Sequence, residues 1–297
     1  MPNRPDITAI LCTYNRGPEV RRTIDSLLAQ DLPRQRYEVL IIDNASSPEN
    51  AAILDDCAAL APDVVRVVRE PTPGLCTARN RGIEESQSPY VTFLDDDALA
   101  ARSWLRMLVE AFEEDPKIAI AGGRVVLSFE GGPRPDFIDR RLTPYLSAFD
   151  HGDDPVDVPA LEAPRGCNIA FRKSALDEAG RFDDRMGRTG KNLASLDEID
   201  VALRIERNGY RLRYVPGADV RHLVRTERLH RRWFRRRIRW QGRGLCSFEV
   251  RHYGRWKVLK RLPGQVGRCL WRRGVHRWLH LGYVEESLHS LLFRRAL

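Results

Sequence analysis

The sequence predicts an α/β fold: a mostly parallel sheet flanked by helices, followed by a basic helical segment at the C-terminus. Three observations carry this. Short apolar runs alternate with helix-spaced segments through the first third of the chain. The strand-like runs are apolar at consecutive positions, as in a sheet covered on both faces. The composition then changes sharply near residue 225.

In chain order, Asp6 to Cys12 reads as a first strand, punctuated by Arg16-Gly17-Pro18. A helix over Glu19 to Gln30 follows, with Val20, Ile24, Leu27 and Leu28 on one face and Pro18 suited to its first turn. Glu38 to Ile42 is a second strand, Pro48 to Ala61 a helix and Val64 to Val68 a third strand. Leu75 to Ser86 is a further helix and Tyr90 to Leu94 a fourth strand. Strand–helix alternation with short links makes a parallel sheet. Such sheets hold ligands beyond the carboxyl ends of their strands. Thr13-Tyr14-Asn15, Asp43-Asn44 and Asp95-Asp96-Asp97 each follow a predicted strand, where that rule puts a site.

The chain has 297 residues, 42 % of them hydrophobic, which describes a globular protein rather than a disordered one. No run reaches the ~18–20 apolar residues that span a bilayer. The N-terminus lacks a signal-peptide core. Six cysteines (Cys12, Cys57, Cys76, Cys167, Cys246, Cys269) are scattered with no CxxC pair. That argues against structural zinc and for reduced thiols in a cytoplasmic protein.

The charge is uneven. Residues 225–297 hold 20 Lys+Arg and 4 Asp+Glu, and the rest of the chain holds 29 and 37. Five of the six tryptophans lie in the same C-terminal stretch. The sequence therefore divides into an acidic body, 1–224, and a basic, Trp-rich extension, 225–297.

Three groups of residues carry chemistry. Asp95, Asp96 and Asp97 are consecutive carboxylates at a strand end, and burying them unpaired would cost several kcal/mol. A divalent cation, Mg²⁺ or Mn²⁺, relieves that cost; the plain alternative is a solvated acidic loop. Asp197-Glu198-Ile199-Asp200 opens a predicted helix. Acids there are stabilised by the helix dipole in any protein, but one of them could also serve as a general base. His222 follows a predicted strand and is either structural or part of a metal shell begun by Asp97. Gly187 to Asn192 resembles a phosphate-binding loop, but its glycine spacing is too short and Asn192 replaces the needed Ser or Thr.

Taken together, ordered blocks resemble the family-2 glycosyltransferases. They are Ile10 to Arg16, Ile42 to Ser46, Gly74-Leu75 with Ala78 to Gly82, and Phe93 to Ala98, then Gly166 to Arg172, Gly180 to Asp183, the acids at 197–200, Gly209-Tyr210 and Val215 to His222. They cover about three-quarters of the chain. The resemblance implies a GT-A fold, a nucleotide-sugar donor, a divalent cation (Mg²⁺ or Mn²⁺) and an inverting single displacement onto an acceptor hydroxyl. Cell-envelope polysaccharide, glycolipid or glycoconjugate synthesis is the implied setting. On the matching positions, Thr13, Tyr14, Asn15, Asp43, Asn44, Arg79, Asp95 and Asp96 are expected to bind the nucleotide sugar, with Asn168 at the donor–acceptor junction. Asp97 and His222 are expected on the metal, and Glu198 as the base, with Asp197 as the alternative in a shifted register. Two departures affect that last assignment: Leu196 stands where the family usually has Gly, and the pair reads Asp-Glu instead of Glu-Asp. The membrane helices and Gln-x-x-Arg-Trp element of processive synthases are absent, since Arg236 stands in the Gln position before Arg239-Trp240. A non-processive enzyme adding one sugar is expected.

The extension leaves three readings open. It is a helical cap matched to the body's acids, a peripheral contact with an anionic membrane serving a lipid-linked acceptor, or a polyanion surface. No nucleic-acid motif supports the last. The rivals for the whole chain are a nucleotidyltransferase, which would carry a Gly-rich basic loop after its first strand, and a non-catalytic polyanion binder.

Overall fold

The computed structural model of the protein describes residues 4–190 and 192–292. Its first third builds β1 (Ile7–Thr13), α1 (Val20–Leu28), β2 (Tyr37–Asp43), α2 (Pro48–Ala59), β3 (Val65–Arg69), α3 (Leu75–Glu85) and β4 (Tyr90–Asp95). These are the elements expected from the apolar spacing, with ends moved by a residue or two. After β5 (Ala98–Ala100) come α4 (Trp104–Glu114), β6 (Ile118–Gly122), β7 (Val125–Phe129), β8 (Val156–Val158) and β9 (Ile169–Arg172). The body closes with α5 (Lys173–Ala179), α6 (Asp197–Arg207), β10 (Arg211–Tyr214) and β11 (Val220–Val224).

The main sheet runs β3-β2-β1-β4-β9-β6-β10-β8. The β1–β2, β1–β4, β2–β3 and β6–β10 pairs are parallel, while β9 runs against both β4 and β6, and β8 runs against β10. Val39, Leu40, Ile41 and Ile42 of β2 are all buried, as a doubly covered strand requires. Register aligns the strand ends: Thr13 pairs with Asp43, and Cys12 with Asp95. A smaller sheet, β5-β11-β7, sets His222 opposite Ala98. That pairing brings a histidine late in the chain to the residue after Asp97.

The C-terminal region is helical: α7 (Arg231–Tyr253), α8 (Arg255–Trp271) and α9 (Arg277–Leu292). Phe234 and Ile238, one turn apart on α7, bury against Ile138, Leu142, Leu146 and Val224. Phe248 joins the main core. α7 and α9 cross closely: a Cβ at Gly242 would meet the Leu279 carbonyl, and one at Gly282 the Arg239 carbonyl. Among the described residues, no helix is long and apolar enough to cross a membrane.

Candidate active site

A cavity of about 660 Å³ opens beyond the ends of β1, β2 and β4. Thr13, Tyr14, Asn44, Arg79, Asp95, Asp96, Asp97, Asp197 and Glu198 line it. Its volume lies within the range of small-molecule sites. Among the described residues, α7 and α9 also contribute walls, through Arg237, Gln241, Leu245 and Leu279.

The three consecutive acids separate by role. Asp95, Asp97 and His222 each bring one ligand atom within 4.8 Å of the others. His222 Nε2 lies 3.2 Å from Asp97 Oδ1. Its Nδ1 lies 2.9 Å from the Leu146 carbonyl, which can only accept, so Nδ1 carries a proton and donates there, and that bond turns Nε2 toward the carboxylates. Arg228 Nη1 lies 3.3 Å from the same Nε2, and two carboxylates with an oriented imidazole suit Mg²⁺ or Mn²⁺. Asp97 also accepts from Arg228 at 3.0 Å and pairs with Arg16 at 3.4 Å. Burial opposes its ionisation, but His222, Arg228 and Arg16 outweigh that and hold its carboxyl far below the usual range. Asp96 turns the other way, accepting from Thr13 Oγ1 at 2.8 Å. Burial, with Asp97 adjacent, pushes Asp96 up to about 6 against the pull of Arg16 and Thr13.

A second acidic group stands at the start of α6. Leu196, its N-cap, has φ 82, in the left-handed region that costs a branched residue about 1–2 kcal/mol. That geometry accounts for glycine being usual in this position, and the chain reaches it with leucine. Asp197 is buried and accepts from Arg79 Nη1 at 2.5 Å. Glu198 keeps about 20 % of its side chain exposed and lies 3.4 Å from Arg79 Nη2. Burial and the neighbouring Glu198 raise Asp197 to about 7, against Arg79. Burial also works against Glu198, but Arg79, its own helix-terminal amide and Arg188 keep its carboxyl below the ordinary value. Glu198 is thus the more accessible member of the pair. Gly166 packs against it, since a Cβ there would strike both Glu198 Oε1 and Arg79 Nη2. Asp200, the third acid, is bound by Arg204, Arg251 and His252 and takes no place on the cavity.

Not every expected residue reaches the cavity. Asn168 is fully buried; it accepts from Trp104 Nε1 at 2.8 Å and donates to the Ala218 and Arg124 carbonyls. Asp43 sits behind the wall, paired with Arg69 at 3.1 Å and accepting from the Ser46 amide. Asn15 braces the neighbouring loop through the Ser47 amide. Asn44 lines the cavity, but its amide group ties the 70–74 loop, donating to the Glu70 and Thr72 carbonyls and accepting from Gly74 N–H. Arg79 stands with the acids of α6, its guanidinium stacked over Phe93 and Phe182. The structure also brings in Arg16, Arg165, Arg188, Arg228 and Arg237, none of which the sequence reading placed. Arg188 belongs to the run first set aside as a false phosphate loop, whose Lys191 lies outside the described residues.

The model of one family, glycosyl transferase family 2, matches residues 8–180. The glucosyl-dolichyl phosphate glucuronosyltransferase of Haloferax volcanii is 28 % identical over 239 residues, covering 80 % of this chain and 75 % of its own length. The pre-mycofactocin glycosyltransferase of Mycobacterium tuberculosis is 28 % identical over 254 residues, 84 % of this chain, which spans only 49 % of that protein. The mannosyltransferase PcManGT from Pyrobaculum calidifontis, solved with GDP-Man and Mn²⁺, superposes with a TM-score of 0.61 at 18 % identity over 99 % of this chain and 88 % of its own. At that identity the likeness concerns the fold, which is GT-A. The nucleotidyltransferase alternative falls with it: over more than half of its length this chain matches the model of glycosyl transferase family 2, and it belongs to that family.

Proposed function

We propose that this glycosyltransferase moves one sugar from a nucleotide-sugar donor to an acceptor hydroxyl by direct, inverting displacement, in polysaccharide or glycoconjugate synthesis. The observation behind this is that one cavity is lined both by Asp95 and Asp97, which cluster with His222, and by the accessible Glu198. Asp95, Asp97 and His222 would hold Mg²⁺ or Mn²⁺, which when bound offsets charge on the leaving diphosphate. Asp96 and Thr13, Tyr14 at the cavity mouth and the loops braced by Asn15, Asp43 and Asn44 form the donor side. Glu198 takes the proton of the acceptor hydroxyl as its oxygen attacks the anomeric carbon. The bond from that carbon to the diphosphate oxygen breaks, and the electron pair leaves with the diphosphate. Arg79 positions Glu198 and keeps it ionised, while Asp197 anchors Arg79. A single accessible carboxylate on the attacking side suits inversion, whereas a double displacement would need a nucleophile as well. Asn168 acts as a positioning residue, linking α4 to the loop before β11.

The test is thermal stability of the full chain with UDP, GDP, dTDP and CMP, with and without Mn²⁺ or Mg²⁺. A ligand at about 100 times Kd stabilises by about 2.7 kcal/mol. A metal-dependent shift with one nucleotide, absent in Asp97→Ala, supports the reading; no shift with any of them sinks it.

We further propose that 1–224 is the catalytic unit and that 225–297 both closes its cavity and meets an anionic membrane. On the outer side of α8, Trp256, Val266 and Leu270 are exposed at helical spacing, with Trp271 at its end, 86 % exposed. Lys260 and Arg268 are exposed on the same helix. Exposed aromatic and aliphatic side chains interspersed with cations suit an interfacial helix. Sedimentation with phosphatidylglycerol vesicles, weakened at least tenfold in a Trp256→Ala, Trp271→Ala double variant, is expected. Equal binding by that variant would end the proposal.

A further inference from the structure

One wall of the cavity holds more positive charge than its surroundings balance. Arg165, Arg188 and Arg237 line it together with Glu198. Arg237 projects from α7 and is only 8 % exposed. Its Nη1 donates to Gln241 Oε1 at 2.9 Å and to Ser195 Oγ at 3.2 Å, both neutral acceptors. Its Nε is buried with no hydrogen-bond partner, as is the Nε of Arg165. Arg165 lies over the Phe149 ring, 5.1 Å from its centre. The carboxylates on this side, Asp197 and Glu198, are both already paired with Arg79. Among the described residues, none of the three arginines has an ion-pair partner of its own. Burial, together with repulsion from Arg188, pushes Arg237 down to about 10. A guanidinium kept dry with no ion-pair partner of its own is costly, and an anion that enters the cavity offsets that cost.

Two anions could do so: the donor's diphosphate, or a charged group on the acceptor. The diphosphate belongs with the Asp97 cluster, where Arg16 and Arg228 already stand. Arg165 and Arg237 instead have Glu198 as a nearby counter-charge. They accompany the base, and the acceptor is the substrate that must come to the base. We propose that Arg165, Arg188 and Arg237 form an acceptor subsite for a phosphate or carboxylate carried close to the hydroxyl that Glu198 deprotonates. The inference rests on Glu198 being the base. It also gives acceptor binding a chemical consequence. An anion seated on these arginines offsets the share that Arg188 supplies of the field keeping Glu198 a weak base, while Arg79 stays in place, so the carboxylate gains some proton affinity once the acceptor is bound.

The test uses the full chain saturated with Mn²⁺ and whichever nucleoside diphosphate stabilises it. Glucose 1-phosphate, glucuronate and methyl glucoside are titrated in by calorimetry. At least one anionic sugar should bind ten times more tightly than the neutral one, and which of the two does so separates phosphate from carboxylate. Arg237→Gln should weaken that binding at least tenfold while nucleotide Kd changes less than twofold. Arg188→Gln, on a loop outside the core, should act in the same direction and guards against misfolding of the first variant. A rise in nucleotide Kd with the anion unaffected would assign the arginines to the donor and overturn the proposal, as would equal binding of neutral and anionic sugars. Absence of nucleotide binding altogether would instead remove the transfer reading on which the subsite depends.

Discussion

In the first 224 residues the decisive charges are acids collected where strands stop and a helix starts. In α7 to α9 they are arginines spread around helices. The body's register dictates where its acids go: Asp95 stands beside Cys12, and His222 beside Ala98. The C-terminal helices have few acids of their own, and Arg239, Arg243 and Arg261 take Glu285, Glu286 and Glu249. Arg251 reaches across to Asp183 and Asp200 of the body. Arg237 finds neither. The contrast teaches that strand pairing gathers charge by geometry, while a basic helix must be docked before any one arginine acquires a role.

Substitutions can break this division or sharpen it. The largest effect is expected from Asp97→Ala, with transfer falling at least a thousandfold and the metal-dependent nucleotide shift disappearing; a near-normal rate would place the cation elsewhere. Glu198→Gln should lower kcat by about 10²–10⁴ with nucleotide binding intact, read from single-turnover rates. Gly242→Val comes next, because it drives α7 from α9 and opens the wall at Gln241 and Leu279. Activity should fall about tenfold or more while the body stays folded by circular dichroism. Full activity would show the helices to be dispensable for the cavity. Gly166→Ala should cost about tenfold in kcat by displacing Glu198, with little change in the nucleotide Kd.

The smallest effect concerns the seam between the two regions. Arg185 and, across the seam, Arg251 hold Asp183 well below the ordinary carboxylate value. A carboxylate lowered in the folded state contributes stability that is present above its unfolded pKa, about 3.9, and is lost as pH falls toward the folded value. Denaturant midpoints should therefore decline below about pH 4, and Arg251→Gln should flatten that decline. An unchanged slope would discount the contact.

Much of this was legible in the sequence. Periodicity located β1 to β4 with their helices, and the strand-end rule located the acids. Residues whose roles depend on distant partners were not. Nothing near Asn168 says that Trp104 will take its carbonyl oxygen, and nothing near Arg79 says that α6 will supply two carboxylates. Arg237 is one of six arginines between 231 and 239, and a broad apolar stripe does not reveal which of them turns inward. The odd Leu196 was visible, but its meaning required the backbone angle.

The Arg79 clamp has a consequence for how this centre can change over time. One guanidinium serves Asp197, Glu198 and the Gly166 carbonyl, so each partner's identity is hostage to the others. Losing Arg79 strands both Asp197 and Glu198, and losing either acid leaves a buried cation short of charge. These positions can drift only in concert, through intermediates that fold poorly. The loops around Tyr14 and Glu70, proposed for the donor side, carry no such buried ion pair. New donor preferences should arise there first, while Glu198, the proposed base, and its clamp stay fixed.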